Sequence, residues 1–170
     1  DIGGTTLFLA TLPTTGSELW KTDGTEGGTV LVKDIFPGPT GSVRRDLFQI
    51  DGVVFFAALD PVHGVELWKS DGTDAGTVLV NDIRPGSASS LQLPLNLDQS
   101  QSLIYTALNG NLIFLADDGT HGLELWRSDG TEAGTILLKD ILPGPSSSFG
   151  QFGRLVYQPE VARGVLYFTA

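Results

Sequence analysis

One phrase of the chain is said three times, and any fold must accommodate it. Glu18-Leu19-Trp20-Lys21-Thr22-Asp23-Gly24-Thr25 returns as Glu66-Leu67-Trp68-Lys69-Ser70-Asp71-Gly72-Thr73. It returns again as Glu124-Leu125-Trp126-Arg127-Ser128-Asp129-Gly130-Thr131. All 3 tryptophans of the chain stand in it. A second phrase follows each copy, running Gly28-Thr29 to Asp34-Ile35, Gly76-Thr77 to Asp82-Ile83, and Gly134-Thr135 to Asp140-Ile141. A Pro-Gly pair then closes each unit at Pro37-Gly38, Pro85-Gly86 and Pro143-Gly144. Repetition at this scale is the mark of supersecondary units that bury their apolar faces against one another.

The units read as strands. Segments 5–10, 53–58, 111–116 and 165–170 align as apolar strands. Each follows a Gly-containing dipeptide: Gly3-Gly4, Asp51-Gly52, Asn109-Gly110 or Arg163-Gly164. Such dipeptides suit a two-residue hairpin turn, because both central residues take positive φ. A strand is therefore expected before each turn, at Asp46–Ile50, Ser102–Leu108 and Arg154–Gln158. Before Gly3-Gly4 only Asp1 and Ile2 remain. After a Gly-containing loop come the Glu-Leu-Trp strand, the Asp-Gly-Thr turn and a last strand. One unit is thus a four-stranded antiparallel meander. The Glu-to-Glu period is 48 residues and then 58, and the excess is expected as a surface loop around Leu91–Gln101.

The fold expected is all-β, built of β-propeller-type four-stranded antiparallel blades that form an incomplete ring or one completed by assembly. The chain reads as one repeat domain over 1–170. Within it, 1–45 is a partial blade of three strands, 46–101 a blade plus the inserted loop, 102–152 a blade, and 153–170 a partial blade of two strands. Two full blades and two partial ones do not close a ring, so the chain is expected as a homo-oligomer, a polymer, or a portion of a larger propeller.

Composition bounds the partners. A net charge of −10 repels phosphate backbones, which argues against nucleic acid. The absence of cysteine removes disulfides and thiolate metal sites. No apolar run approaches the length of a membrane span, so membrane insertion is not expected. A chain starting at Asp1 without an initiating Met reads as a processed product or as part of something longer.

The repeated residues carry structural expectations first. Glu18, Glu66 and Glu124 share a strand face with Trp20, Trp68 and Trp126, while Leu19, Leu67 and Leu125 point the other way. Trp at one position of every unit suits packing between units better than a sugar platform, although a glycan remains a partner to consider. The Glu side chains are expected to pair with Lys33 or Lys139, or to bond neighbouring backbone. Gly24 and Thr25, Gly72 and Thr73, Gly130 and Thr131 form a self-capping turn with the preceding Asp. Asp23 with Glu26, Asp71 with Asp74, and Asp129 with Glu132 are the candidate Ca2+ ligands, each pair needing backbone oxygens to complete it. His63 and His121 read as exposed loop residues, with Ser17 near the first unit's equivalent. Ser87–Ser90 and Ser146–Ser148 read as ordinary polar loops. No catalytic residue and no other cofactor is expected, because catalysis breaks repeat symmetry and these residues obey it.

The turn resembles the Asp-box of sialidase-type propellers, which also joins the third and fourth strands of a blade, with the aromatic residue here preceding the Asp. The whole pattern, Glu-Leu-Trp-x-x-Asp-Gly-Thr followed by Gly-Thr, Asp-Ile and Pro-Gly, looks like the bacterial ELWxxDGT repeat family. That resemblance implies a large, exported, repetitive surface protein with a propeller-like fold and no known catalytic residues. The function expected is a non-enzymatic extracellular scaffold or self-assembling subunit. The alternatives are a carbohydrate- or Ca2+-dependent adhesin and, further off, a glycan-active enzyme.

Overall fold

Two-residue turns with both residues left-handed set the register of this chain. Asp51 and Gly52 (φ 47° and 80°), Asn109 and Gly110 (52° and 75°) and Arg163 and Gly164 (53° and 74°) each join two antiparallel strands. A turn of this kind matches the right-handed twist of the strands it connects. The computed structural model describes residues 2–43, 47–91, 106–149 and 160–168.

The described residues contain no helix, and so none that could cross a membrane. They form four separate antiparallel sheets. The first holds β1 (Thr6–Leu12), β2 (Gly16–Thr22) and β3 (Val30–Lys33). The second holds β4 (Phe48–Ile50), β5 (Val53–Asp60), β6 (Gly64–Ser70) and β7 (Val78–Asn81). The third holds β8 (Thr106–Leu108), β9 (Asn111–Asp117), β10 (Leu123–Ser128) and β11 (Ile136–Lys139). The fourth is the hairpin of β12 (Glu160–Ala162) and β13 (Val165–Tyr167). Strand order follows chain order in every sheet, as expected of meanders. Ahead of β1, Ile2 makes a single bridge to Thr5 across Gly3-Gly4.

One strand lies where none was read, and one expectation is corrected. The strand before Arg163-Gly164 is Glu160–Ala162, because a two-residue turn puts the first pair, Ala162 with Val165, directly beside it. The segment expected there, 154–158, lies outside the described residues, as do Asp46, the 102–105 part of the strand before Asn109, and 169–170. Leu91, read as the first residue of a surface loop, is not at the surface. Leu91 is fully buried in the core, and its N–H donates to the Val65 carbonyl at 3.2 Å. Residues 92–101 of the expected loop lie outside the described residues.

A bulge recurs at one place in each of the first three sheets. Leu19 faces Lys33 while Trp20 faces Leu31, so Val32 is the extra residue, and Val80 and Leu138 repeat it. The bulge increases the local twist of the short last strand.

The sheets pack face to face through alternating residues. Between the first and second lie Leu19, Val32, Ile35 and Val43 from one side, and Val54, Phe56, Ala58 and Trp68 from the other. Between the second and third lie Phe55, Leu67, Val80, Ile83 and Leu91 against Leu112, Phe114, Ala116 and Trp126. Phe56 and Phe114 are fully buried, each contributing roughly 2–3 kcal/mol of apolar burial. The third sheet's opposite face, with Ile113, Leu115, Leu125 and Phe149, meets Leu166 of β13.

The Glu-Leu-Trp strands β2, β6 and β10 begin at or just after a glycine that touches the loop following the next strand. A Cβ on Gly64 (φ 72°) would sit 2.8 Å from the carbonyl oxygens of Ser87 and Ala88, and Gly16 and Gly122 are equally confined. Gly52 (φ 80°) has the same backbone strain but open space around it. Gly52→Ala is expected to lose about 1–2 kcal/mol from the left-handed conformation alone. Gly64→Ala should lose distinctly more, read as the difference in urea unfolding midpoints between the two variants.

Candidate functional site

The repeated phrase builds two polar constellations per unit, one buried and one at the surface. The buried one centres on the glutamate. Glu18, Glu66 and Glu124 are each 0% exposed. A carboxylate this deep must be hydrogen-bonded, and its partners come from two segments of chain further on. Glu18 accepts from the Ser42 N–H at 2.8 Å, the Ile35 N–H at 3.4 Å and the Ser42 hydroxyl. Glu66 accepts from the Ser90 N–H at 2.9 Å, the Ile83 N–H at 3.2 Å and the Ser90 hydroxyl. Glu124 accepts from the Ile141 N–H at 3.4 Å and the Ser148 hydroxyl.

Each glutamate is therefore a strap. It ties the Glu-Leu-Trp strand to the end of the next strand and to the loop beyond Pro-Gly. The strapped serine passes the connection on: the Ser42 carbonyl accepts from Leu59 N–H at 2.9 Å, and the Ser90 carbonyl from Asp117 N–H at 3.0 Å. Leu59 and Asp117 belong to the next sheet, so one carboxylate fixes the loop that joins two sheets. Arg84 adds an ion pair to Asp117 at 2.9 Å across the same junction.

Two sequence readings change accordingly. The glutamates bond neighbouring backbone, and the lysine pairing is not made. Lys33 instead donates to the Asp74 carbonyl at 3.1 Å, with the Asp74 carboxylate 3.6 Å away. Ser90 and Ser148 are buried or half-buried strap residues and not ordinary polar loop. The signal was present in the chain: a serine stands 24 residues after the glutamate in all three copies. Neighbouring serines add to it, with Ser89 and Ser147 accepting from the Val65 and Leu123 N–H groups.

The surface constellation is the Asp-Gly-Thr turn. Asp71 Oδ1 accepts from the Thr73 hydroxyl at 2.7 Å and the Thr73 N–H at 2.9 Å. The Gly76 N–H then donates to the Thr73 hydroxyl at 2.9 Å, and the Thr77 hydroxyl to the Thr73 carbonyl. Asp23 with Thr25 and Asp129 with Thr131 repeat this geometry. The threonine hydroxyl, and after it the threonine N–H, hold all three carboxyls below the usual range. A Cβ on Gly76 would lie 2.1 Å from Asp71 Oδ1, so the second repeated glycine of the motif makes room for the carboxylate, as do Gly28 and Gly134.

Of the candidate Ca2+ ligands, Asp23, Asp71 and Asp129 use Oδ1 within this turn. Glu26, Asp74 and Glu132 accept the Thr29, Thr77 and Thr135 N–H groups on their backbone carbonyls. Among the described residues no three His, Asp or Glu side chains gather in a way that could hold a metal ion. Trp68 and Trp126 lie between sheets, while Trp20 is half-buried on the first. The indole N–H of all three, and Oδ1 of Asp34, Asp82 and Asp140, are buried without a protein partner, a regularity that belongs to the motif.

His63 and His121 cap loops. The Asp60 carboxylate accepts the Val62 and His63 N–H groups at 2.7 and 2.8 Å and meets the His63 ring at 2.9 Å. That contact raises the imidazole above its ordinary value, and Asp118 does the same for His121. With Gly16 at the place of Gly64 and Gly122, Thr15 and not Ser17 occupies the histidine position of the first unit.

No family model, no curated protein and no solved structure matches this chain.

Burial raises Glu66 from 4.5 to about 7, against the pull of the Ser90 and Ile83 donors, and raises Glu18 as well. The folded state thus keeps a proton that the unfolded chain releases. The stability this proton confers is complete below 4.5 and is lost as pH rises through about 7. Unfolding free energy should fall across that window by on the order of 3 kcal/mol from this group. Glu66→Gln should reduce the slope in a pH series of denaturant melts, and an unchanged slope would refute the assignment. Ser90→Ala leaves the Glu66 carboxylate short of one donor and should cost about 1–3 kcal/mol at neutral pH.

Proposed function

We propose that this chain is a non-enzymatic structural protein, a propeller-type array of stacked sheets that serves as an extracellular scaffold or self-assembling surface subunit. The observation that carries this reading is where the polar side chains of the motif are used. Glu18, Glu66 and Glu124 spend their oxygens on backbone and serine groups of their own unit. Asp23, Asp71 and Asp129 spend Oδ1 on their own turn. A catalytic site needs groups turned toward a substrate and differing from copy to copy; these serve their own straps and turns and are alike.

The likeness of the motif to the bacterial ELWxxDGT repeat family supports the same reading, along with export and a place at the cell surface. The net charge of −10 is consistent with a solvated exterior and with partners other than nucleic acid. Ring closure into a propeller would be reached through further units, in a longer chain or in a second copy.

Light scattering with electron microscopy on the same sample is the test. Oligomers or polymers whose mass grows with concentration are expected, and a monomer at every concentration would count against self-assembly. Calorimetric titration with Ca2+ should give no binding heat and no rise in melting temperature. A clear heat with a raised midpoint would replace this reading with a Ca2+-dependent binding module.

A further inference from the structure

The first and third sheets present two half-open faces that are the two sides of one recurring interface. Within the chain this interface is made twice. Its forward side places Val32 and Ile35, then Val80 and Ile83, at 6%, 7%, 5% and 6% exposure. The same positions in the third sheet, Leu138 and Ile141, are 46% and 37% exposed. Its backward side buries Phe56, Ala58 and Trp68, then Phe114, Ala116 and Trp126. The same positions in the first sheet, Phe8, Ala10 and Trp20, are only half-buried.

The polar contacts of the interface are left open at the same two places. Lys21 donates to the Gly72 carbonyl at 2.9 Å and Lys69 to the Gly130 carbonyl at 2.7 Å, each reaching from one sheet to the turn of the next. Arg127 holds that position in the third sheet and is exposed. Nothing lies within 4 Å of a Cβ built on Gly24, whereas Gly72 meets Leu7 and Gly130 meets Phe55 and Lys69. Arg127, whose charge acts on Asp129 of its own sheet, thus makes no carbonyl contact like those of Lys21 and Lys69, and no lysine reaches the Gly24 turn among the described residues.

From this continuity we infer that the forward face of the third sheet docks the backward face of the first sheet of a second copy. The inference rests on the self-assembly reading and assigns it a contact. Leu138 and Ile141 cover Phe8 and Trp20 of the second copy, and Arg127 donates to the second copy's Gly24 carbonyl. The interface is head-to-tail, so it leaves one face of each kind free and grows rings or filaments. The β12–β13 hairpin holds part of this site through Leu166 and through Phe168, whose ring centre lies 5.8 Å from that of Phe149. Thr6 and Phe8 of an incoming β1 match Leu166 and Phe168 in position, so docking displaces the hairpin and brings the Trp-bearing strands the hairpin lacks.

The test uses two full-length variants at exposed positions, Thr6→Glu on the backward face and Leu138→Glu on the forward face. Each alone should be monomeric by light scattering, with far-ultraviolet circular dichroism unchanged. Mixed together they should form a one-to-one dimer, since each keeps the intact face the other lacks, and Trp20 fluorescence should shift to the blue. Arg127→Glu, also exposed, serves as a second forward-face variant and should behave as Leu138→Glu does. Leu166→Glu should loosen the hairpin and tighten wild-type association at least tenfold; weaker association would overturn the displacement and assign the contact to the hairpin. Assembly that persists in both single variants, or a mixture that stays monomeric, would overturn the face assignment while leaving self-assembly standing. A wild-type chain that never associates would remove both.

Discussion

A carboxylate with no exposure to water cannot be left unpaired, and this chain meets that demand three times in the same way. The cost of burying Glu18, Glu66 or Glu124 is offset only when Ile35, Ile83 or Ile141 and the serine 24 residues on are brought to it. The requirement is stringent because the oxygens need donors at fixed distances, whereas apolar contacts tolerate sliding. It pulls the stretch after the unit's last strand back across the start of the Glu-Leu-Trp strand. The glycine at that start, confined against the loop, is the steric side of the same arrangement.

From the strap follows the stacking. Once Ser42 and Ser90 are held, their carbonyls are aimed at Leu59 and Asp117 of the following sheet. The residue after each serine, Val43 or Leu91, then enters the apolar layer between sheets. Lysines at the fourth position of the motif close the outer end of the same layer onto the next turn. The Asp-Gly-Thr turn supplies a carbonyl at a constant place because its own hydrogen bonds make it rigid. Buried strap, apolar layer and capped turn therefore specify the position of the next unit together, and a chain built this way extends by addition of equivalent faces.

Much of this was legible in residues. Asp51-Gly52 and Asn109-Gly110 announced the hairpins, and alternation placed Glu18 and Trp20 on one face with Leu19 on the other. The serine strap was harder to see, because Ser90 and Ser148 stand in runs of serine that resemble solvent-facing loop. Their partner is 24 residues away and across a loop, beyond the reach of any local periodicity. The bulge at Val32, Val80 and Leu138 was hidden for a related reason: it has no glycine to mark it and arises from the pairing of two strands. The strand at Glu160–Ala162 lies next to the Arg163-Gly164 turn, and the 154–158 segment read as a strand lies outside the described residues.

The sequence by itself determined the all-β character, the turns and the phase of each strand, since these depend on neighbours two to four residues away. Glycine φ, β-alternation and Asx capping act over that range and leave a direct trace in composition. Which distant groups would satisfy the buried glutamates, and which apolar positions would stay open at Leu138 and Trp20, was decided only in the tertiary structure. Both depend on what lies opposite after the sheets have stacked, and a buried charge or an open face is defined by its surroundings and not by its own residue type.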